Sequence, residues 1–210
     1  MSSDSKQQDW ERIIIAFTGN KGHGKDTAAI PFKGVATRLQ FAYLLKKICS
    51  LMLGMDMDTQ MNGLSKETID DTWGVTPRQV MQVVGTDLFR NQLKKLLPTI
   101  KIGDGESLWA KRMEMEINDI GIYRDVVITD CRFIDEAAMV KRMGGVIVRV
   151  VRPGMECSDT HASEVEQASI EADYTLVNDG TEADLQEKAV ALYEKLSAER
   201  LVNSFSTLSK

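Results

Sequence analysis

Histidine, cysteine and proline are scarce in this chain. Its 210 residues include two His, three Cys and four Pro, and aromatic side chains make up 6%. His23 and His161 are too few for a histidine-rich metal centre. Cys49, Cys131 and Cys157 are odd in number and widely spaced. That excludes a disulfide framework and a cysteine zinc site, and it fits a reducing compartment. Residues 13–17 (IIIAF), among the longest uninterrupted apolar runs, fall far short of the ~18 residues of a membrane helix. The first ten residues are polar, with no apolar segment of a secretory signal, so a cytoplasmic protein with no membrane partner is expected. Positive charge is not in excess either. Lys plus Arg number 26 against 31 Asp plus Glu, a net charge of −5. Such a chain does not coat a nucleic-acid polymer by bulk charge. A small anion held in a local basic pocket remains open.

What is present is a substantial core. Hydrophobic residues make up 43% of the chain, and the length fits one domain, with or without an insert. Residues 11–18 (ERIIIAFT) form a continuous apolar run followed by glycines, as expected of a strand buried on both faces of a parallel sheet. Similar runs occupy 125–129, 145–151 and, more weakly, 173–177, with 37–41 as a fifth. Apolar residues at helical spacing cover 44–53, 78–97, 108–117, 134–143 and 183–196. Strands alternating with helices predict an α/β fold around a parallel sheet. The polar, Met-rich stretch 54–76 and the glycine-containing stretch 98–106 break that alternation. The expected organisation is one domain over 11–200, with a helical substrate-binding insert at 54–119 and a lid at 153–172. Residues 1–10 and 202–210 are expected to be flexible tails.

The sharpest signal follows the first strand. Residues 19–27 read GNKGHGKDT, a GxxxxGK phosphate-binding loop with Asp26 at the usual hydroxyl position and Thr27 one place later. Glycines let successive N–H groups turn inward toward phosphate oxygens, and the following helix adds its positive end. Gly22, His23, Gly24, Lys25, Asp26 and Thr27 are therefore the expected ATP-binding segment, with Lys25 reaching the β- and γ-phosphates. Asp26 reads either as a Mg²⁺ ligand, direct or through water, or as a helix cap. Pro31 lies about two turns into the helix and predicts a short or bent one.

These residues resemble the deoxynucleoside monophosphate kinases of tailed phages and their bacterial relatives. GKDT in the loop is followed by Phe41-Ala42 leading into Leu45-Lys46, similar to FAxPLK, with Leu44 where proline is usual. Thr76-Pro77-Arg78-Gln79, running into Met81-Gln82-Val83-Val84-Gly85-Thr86-Asp87, is similar to TPRxxxQxxGTD. Trp109 sits where the family has a tryptophan. Asp130-Cys131-Arg132-Phe133 with Glu136 resembles DxRFxxE, and residues 150–154 match VRPG. Asp159-Thr160-His161 with Glu164, and Asn178-Asp179-Gly180, complete the series. The resemblance runs from about residue 12 to 196. It implies a three-layer P-loop NTPase fold of the NMP-kinase type, with a substrate-binding insert and a lid. It also implies phosphoryl transfer from ATP, with Mg²⁺, to a deoxynucleoside monophosphate. A homodimer that supplies DNA precursors, in host cytoplasm if viral, follows from the same likeness.

The resemblance and the chemistry of each residue type assign expected roles. Lys25, Arg132 and Arg152 are the catalytic candidates, Arg132 bridging donor and acceptor phosphates and Arg152 closing on ATP. Lys21, Lys46, Arg78 and Gln82 are expected at the acceptor, Arg78 through a bidentate grip on its phosphate. Trp109 either stacks on the acceptor base or packs in the core. Asp130, at the carboxyl end of a buried strand, is placed to hold Mg²⁺ or its water, or the acceptor sugar. Glu136 lies four residues after Arg132 and is expected to bind substrate or to orient that arginine. Asn178 borders the adenine or serves the turn before the last helix. Arg149, Trp10 and Trp73 are read as structural, and His161 as a capping or loop residue. Rival readings are a P-loop kinase for another acceptor, of the dephospho-CoA or phosphomevalonate type, a nucleotide sensor without chemistry, or a triphosphate hydrolase.

Overall fold

The computed structural model describes residues 12–62, 64–155 and 166–208. The elements in chain order are β1 (Ile14–Thr18), α1 (Lys25–Ala29), β2 (Thr37–Leu39), α2 (Phe41–Leu53) and α3 (Pro77–Gln82). They continue as α4 (Leu93–Leu96), α5 (Leu108–Ile120), β3 (Val126–Ile128), α6 (Ile134–Arg142), β4 (Val146–Val151), β5 (Tyr174–Val177) and α7 (Glu182–Leu208).

Every residue of β1 is buried, so its backbone must be paired on both sides. It is: Ala16 stands opposite Ile128 of β3 on one side and Ile147 of β4 on the other. The sheet runs β2-β3-β1-β4-β5, and every pairing is parallel. Alternation along the strands then sorts the side chains. Ile15, Phe17, Val148, Val150 and Leu176 pack with Ala28 of α1 and with Leu185, Ala189 and Leu192 of α7. On the opposite face, α6 buries Met139 and Val140 and packs against β1 and β4. Helix, sheet and helix make three layers, with β1 at the centre and the glycine loop at its carboxyl end. This is the P-loop kinase arrangement the sequence predicts.

The chain divides into two compact units. One comprises residues up to Gln40 together with those from Met113 onward; the other is Phe41–Arg112. The second unit thus takes in α2, outside the expected 54–119 insert, and it ends part-way along α5. Its core explains the inclusion of α2. Cys49 lies with Met55, Met61 and Val84, packed by Leu45, Leu53, Val80 and Phe89. Flexible thioethers fill this irregular core, and burial pushes the Cys49 thiol up to about 11.

Three helices differ from simple periodicity. α1 stops at Ala29 and tightens into a short turn over Ile30–Phe32 that contains Pro31, the short helix expected from that proline. The pattern over 78–97 is not one helix. A capping box between Thr76 and Gln79, with Pro77 at the first position, starts α3. Val83–Gln92 then winds more widely, so that the Leu93 N–H bonds to Leu88, five residues back. α7 reaches Leu208, which corrects the expected tail from 202. No glycine or proline lies between 182 and 208 to stop it.

The amino end of the sheet is tied by Asp125, whose side chain is 9% exposed. One carboxylate oxygen accepts from the Ile13 N–H at 2.7 Å and from Arg200 at 3.1 Å, and the other from the Tyr193 hydroxyl at 2.5 Å. We expect Asp125→Ala to cost about 2–4 kcal/mol in denaturant titration, because it takes the acceptor from a buried N–H, one charge partner from Arg200 and the hydrogen bond from Tyr193. Burial, then the bond to Asp125, pushes the Tyr193 phenol up to about 12. Its neutral form is favoured by folding, so this contribution is complete below pH ~10 and is lost as pH rises toward 12. Absorbance at the phenolate band should show one late-titrating tyrosine that Tyr193→Phe removes.

Candidate active site

The loop between β1 and α1 lies against the carboxyl end of β4. Gly19 has φ +132°, and a Cβ there would stand 2.2 Å from the Val150 carbonyl oxygen, so no side chain fits. Gly24, at φ +101°, is pressed on the side chains of Asn178 and Leu185, where a Cβ would lie 2.8 Å from each. The Asn178 amide in turn donates to the His23 carbonyl at 3.0 Å. The Lys25 side chain is buried and donates to the Gly19 and Asn20 carbonyls, the latter at 2.9 Å.

Gly22, Gly24, Lys25, Asp26 and Thr27 line one cavity of about 340 Å³ together with Arg152, Asn178, Gly180 and Glu182. Arg152 follows β4 and Asn178 follows β5, so three strand ends converge where ligands of open parallel sheets bind. Seven residues expected at ATP therefore meet in one place. His23 is the exception. It is 5% exposed, and its ring nitrogens face the Val150 and Met155 carbonyls at 3.2 and 3.1 Å. Its side chain braces the loop from behind and lies outside the cavity lining. Asp26, on the cavity wall and largely exposed, forms an ion pair with Arg38 of β2.

The residues expected at the acceptor fall in both units. In the first, Lys21 is exposed, and Asp130 and Arg132 are half-buried just beyond β3. Glu136 is 3% exposed, and one of its carboxylate oxygens accepts from the backbone N–H of Arg132 at 2.9 Å and of Phe133 at 3.2 Å. It caps α6 and fixes the backbone of Arg132, the orienting role that was one of the two expected for it. In the second unit, Lys46 donates to Asn62 at 2.9 Å. Glu67 grips Arg78, its two oxygens lying 2.7 and 2.8 Å from Nε. Gln82 is half-buried at the end of α3. Trp109 is 6% exposed, donates its indole N–H to the Gly85 carbonyl at 2.9 Å and meets Phe89 edge-on. This is the core alternative: Trp109 supports the wide turn, and its faces are covered.

Of the expected lid, 156–165 lie outside the described residues, and His161 with them. Its described end contributes Gln167, fully buried, whose amide reaches Asn20 of the loop at 3.4 Å. Arg149 donates to the Gln167 and Ile170 carbonyls, the structural role expected for it. Among the described residues, no group of three His, Cys, Asp or Glu side chains is placed to hold a metal ion.

A family model described as deoxynucleotide monophosphate kinase matches residues 52–189. The chain belongs to that family. A protein of Acanthamoeba polyphaga mimivirus that carries the name deoxynucleotide monophosphate kinase provisionally is 36% identical over 195 residues, 88% of this chain and 98% of that one. The deoxynucleotide monophosphate kinase of Escherichia phage RB69 is 32% identical over 122 residues, which are 57% of this chain and 45% of the phage protein. Among solved structures, a dephospho-CoA kinase from Campylobacter jejuni aligns at TM-score 0.42 and 12% identity, covering 87% of this chain and 96% of that one.

The sequence did not mark Arg38, Glu67, Glu182 or Gln167. Arg38, Glu67 and Gln167 meet partners that no local pattern indicates, and Glu182 joins the cavity wall only through the fold. The fit of Gly19 gives a direct test. Gly19→Ala should cost more than about 2 kcal/mol and abolish ATP binding. Gly34→Ala, also at positive φ but with open space around it, should cost about 1 kcal/mol and leave binding intact. Denaturant titration and calorimetry of ATP binding check both.

Proposed function

We propose that the chain transfers the γ-phosphoryl group of ATP to a deoxynucleoside monophosphate. The observation that carries the reading is the convergence of Lys25, Arg152 and Asn178 on one cavity at the glycine loop, in a member of the deoxynucleotide monophosphate kinase family. Loop N–H groups and Lys25 bind the β- and γ-phosphates, and Arg152 covers them. Arg132, its backbone held by Glu136, meets the charge that develops on the moving phosphoryl group. Lys21, Lys46, Arg78 and Gln82 bind the acceptor. Glu67 presets the Arg78 guanidinium, and Trp109 acts from beneath, through Gly85.

Mg²⁺ is held in such sites by one or two carboxylates plus phosphates and waters, so no protein cage is needed. Asp26, 74% exposed and lining the cavity, fits that requirement, and Asp130 is the second candidate. The ion supplies neutralisation of phosphate oxygens when bound. No described helix is long and apolar enough to cross a membrane. A cytoplasmic homodimer supplying DNA precursors is the setting that the family likeness supports.

The test supplies ATP and Mg²⁺ with each of the four deoxynucleoside monophosphates and their ribo counterparts, with products separated by chromatography. We expect diphosphate from at least one deoxy acceptor. Lys25→Ala should abolish it, and Arg132→Ala should lower kcat by about 10²–10³ with little change in KM for ATP. ATP loss independent of any acceptor would mark a hydrolase instead, and ATP binding without product a sensor.

A further inference from the structure

Asp26 stands where a phosphate-binding loop ordinarily carries a hydroxyl. It lines the same cavity as Gly22, Gly24, Lys25 and Arg152. A polyphosphate entering that cavity meets a like charge, and like charges at contact distance repel even in water. The chain carries its own remedy. Arg38 places its guanidinium on the Asp26 carboxylate. Its strand is well fixed: Arg38 stands opposite Val127 in the parallel register, and Thr37 N–H bonds to the Asp125 carbonyl at 2.8 Å. Leu39, the last residue of β2, is buried and pairs with Ile128. The paired side chains are 46% and 74% exposed, and such a pair adds little to stability. Its consequence is local charge.

We propose that Arg38 is a positioning residue for the nucleotide: it is the internal counter-ion of Asp26 and competes with Mg²⁺ for that carboxylate. Metal-free ATP binding then depends on Arg38, and Mg²⁺ must displace the guanidinium to reach Asp26. The inference rests on the reading of the glycine loop as an ATP site.

Calorimetry of ATP binding, in EDTA and across a Mg²⁺ titration, tests it in wild type, Arg38→Ala, Arg38→Lys, Asp26→Asn and the Asp26→Asn/Arg38→Ala pair. Arg38→Ala should weaken binding in EDTA by about five- to tenfold and lower the Mg²⁺ midpoint by a similar factor. Arg38→Lys, which keeps the charge, should stay within about twofold of wild type on both readings. In the Asp26→Asn background, removing Arg38 should leave the Mg²⁺ midpoint unmoved, as a cycle through a shared carboxylate requires. Thermal melts establish that each variant is folded. If Arg38→Ala fails to fold, Asp26→Asn decides alone: tighter binding in EDTA with a raised Mg²⁺ midpoint supports the proposal, and no change overturns it. A Mg²⁺ midpoint that rises in Arg38→Ala, or shifts equally with and without Asp26, overturns it while wild-type ATP binding leaves the kinase reading standing. Wild type that binds no ATP, with or without Mg²⁺, overturns both.

Discussion

The contact on which the site depends is between two backbones. Gly19 turns directly off β1 at a φ open to glycine, and it lies so close to the Val150 carbonyl that a single methyl group would collide. This approach is available because β1 and β4 are neighbours in a parallel sheet buried on both faces. The same packing sets the loop over the ends of β4 and β5, from which Arg152 and Asn178 arise. Asn178 then closes the circuit by holding the loop at His23 and filling the space beside Gly24. The cavity is thus a product of sheet topology, and its charged groups are later additions to a shape fixed by main chain.

Those charges share a property. Several of the basic side chains around the expected site have an oxygen partner within the protein. Lys25 donates to loop carbonyls, Arg78 to Glu67, Arg38 to Asp26 and Lys46 to Asn62. Long basic side chains lose rotamer freedom when they bind an anion, and part of that cost is met in advance when a partner already orders them. It also reconciles a chain of net charge −5 with a polyanionic substrate. Glu67 beside Arg78 and Asp26 beside Arg38 are acidic side chains that order basic ones.

The sheet was legible because a strand buried on both faces has little room for polar groups, so residues 13–17 stand out as an unbroken apolar run and 146–151 as one interrupted only by Arg149. The loop was legible because glycine and lysine are required at fixed spacing by the chemistry of phosphate. What sequence reasoning missed was set by distant partners. The wide turn over Val83–Gln92 has its Gly85 carbonyl taken by Trp109, 24 residues away. Nothing local to Arg38 or Glu67 indicates Asp26 or Arg78 as its partner. Glu136 supports two readings at once: its spacing to the start of α6 is that of a capping carboxylate, and the same carboxylate holds the backbone N–H groups of Arg132 and Phe133. The end of α7 was misplaced because apolar periodicity fades after Leu196, while helical hydrogen bonding continues without it.

The central claim is that this loop holds ATP so that its terminal phosphoryl group passes to a nucleotide and not to water. Phosphorus-31 NMR of one sample containing ATP, Mg²⁺ and a mixture of deoxynucleoside monophosphates tests it most directly. The β-phosphate signals of ADP and of a deoxynucleoside diphosphate should grow in equal amounts, with little inorganic phosphate. Inorganic phosphate growing in step with ADP, with the monophosphates unchanged, would contradict it.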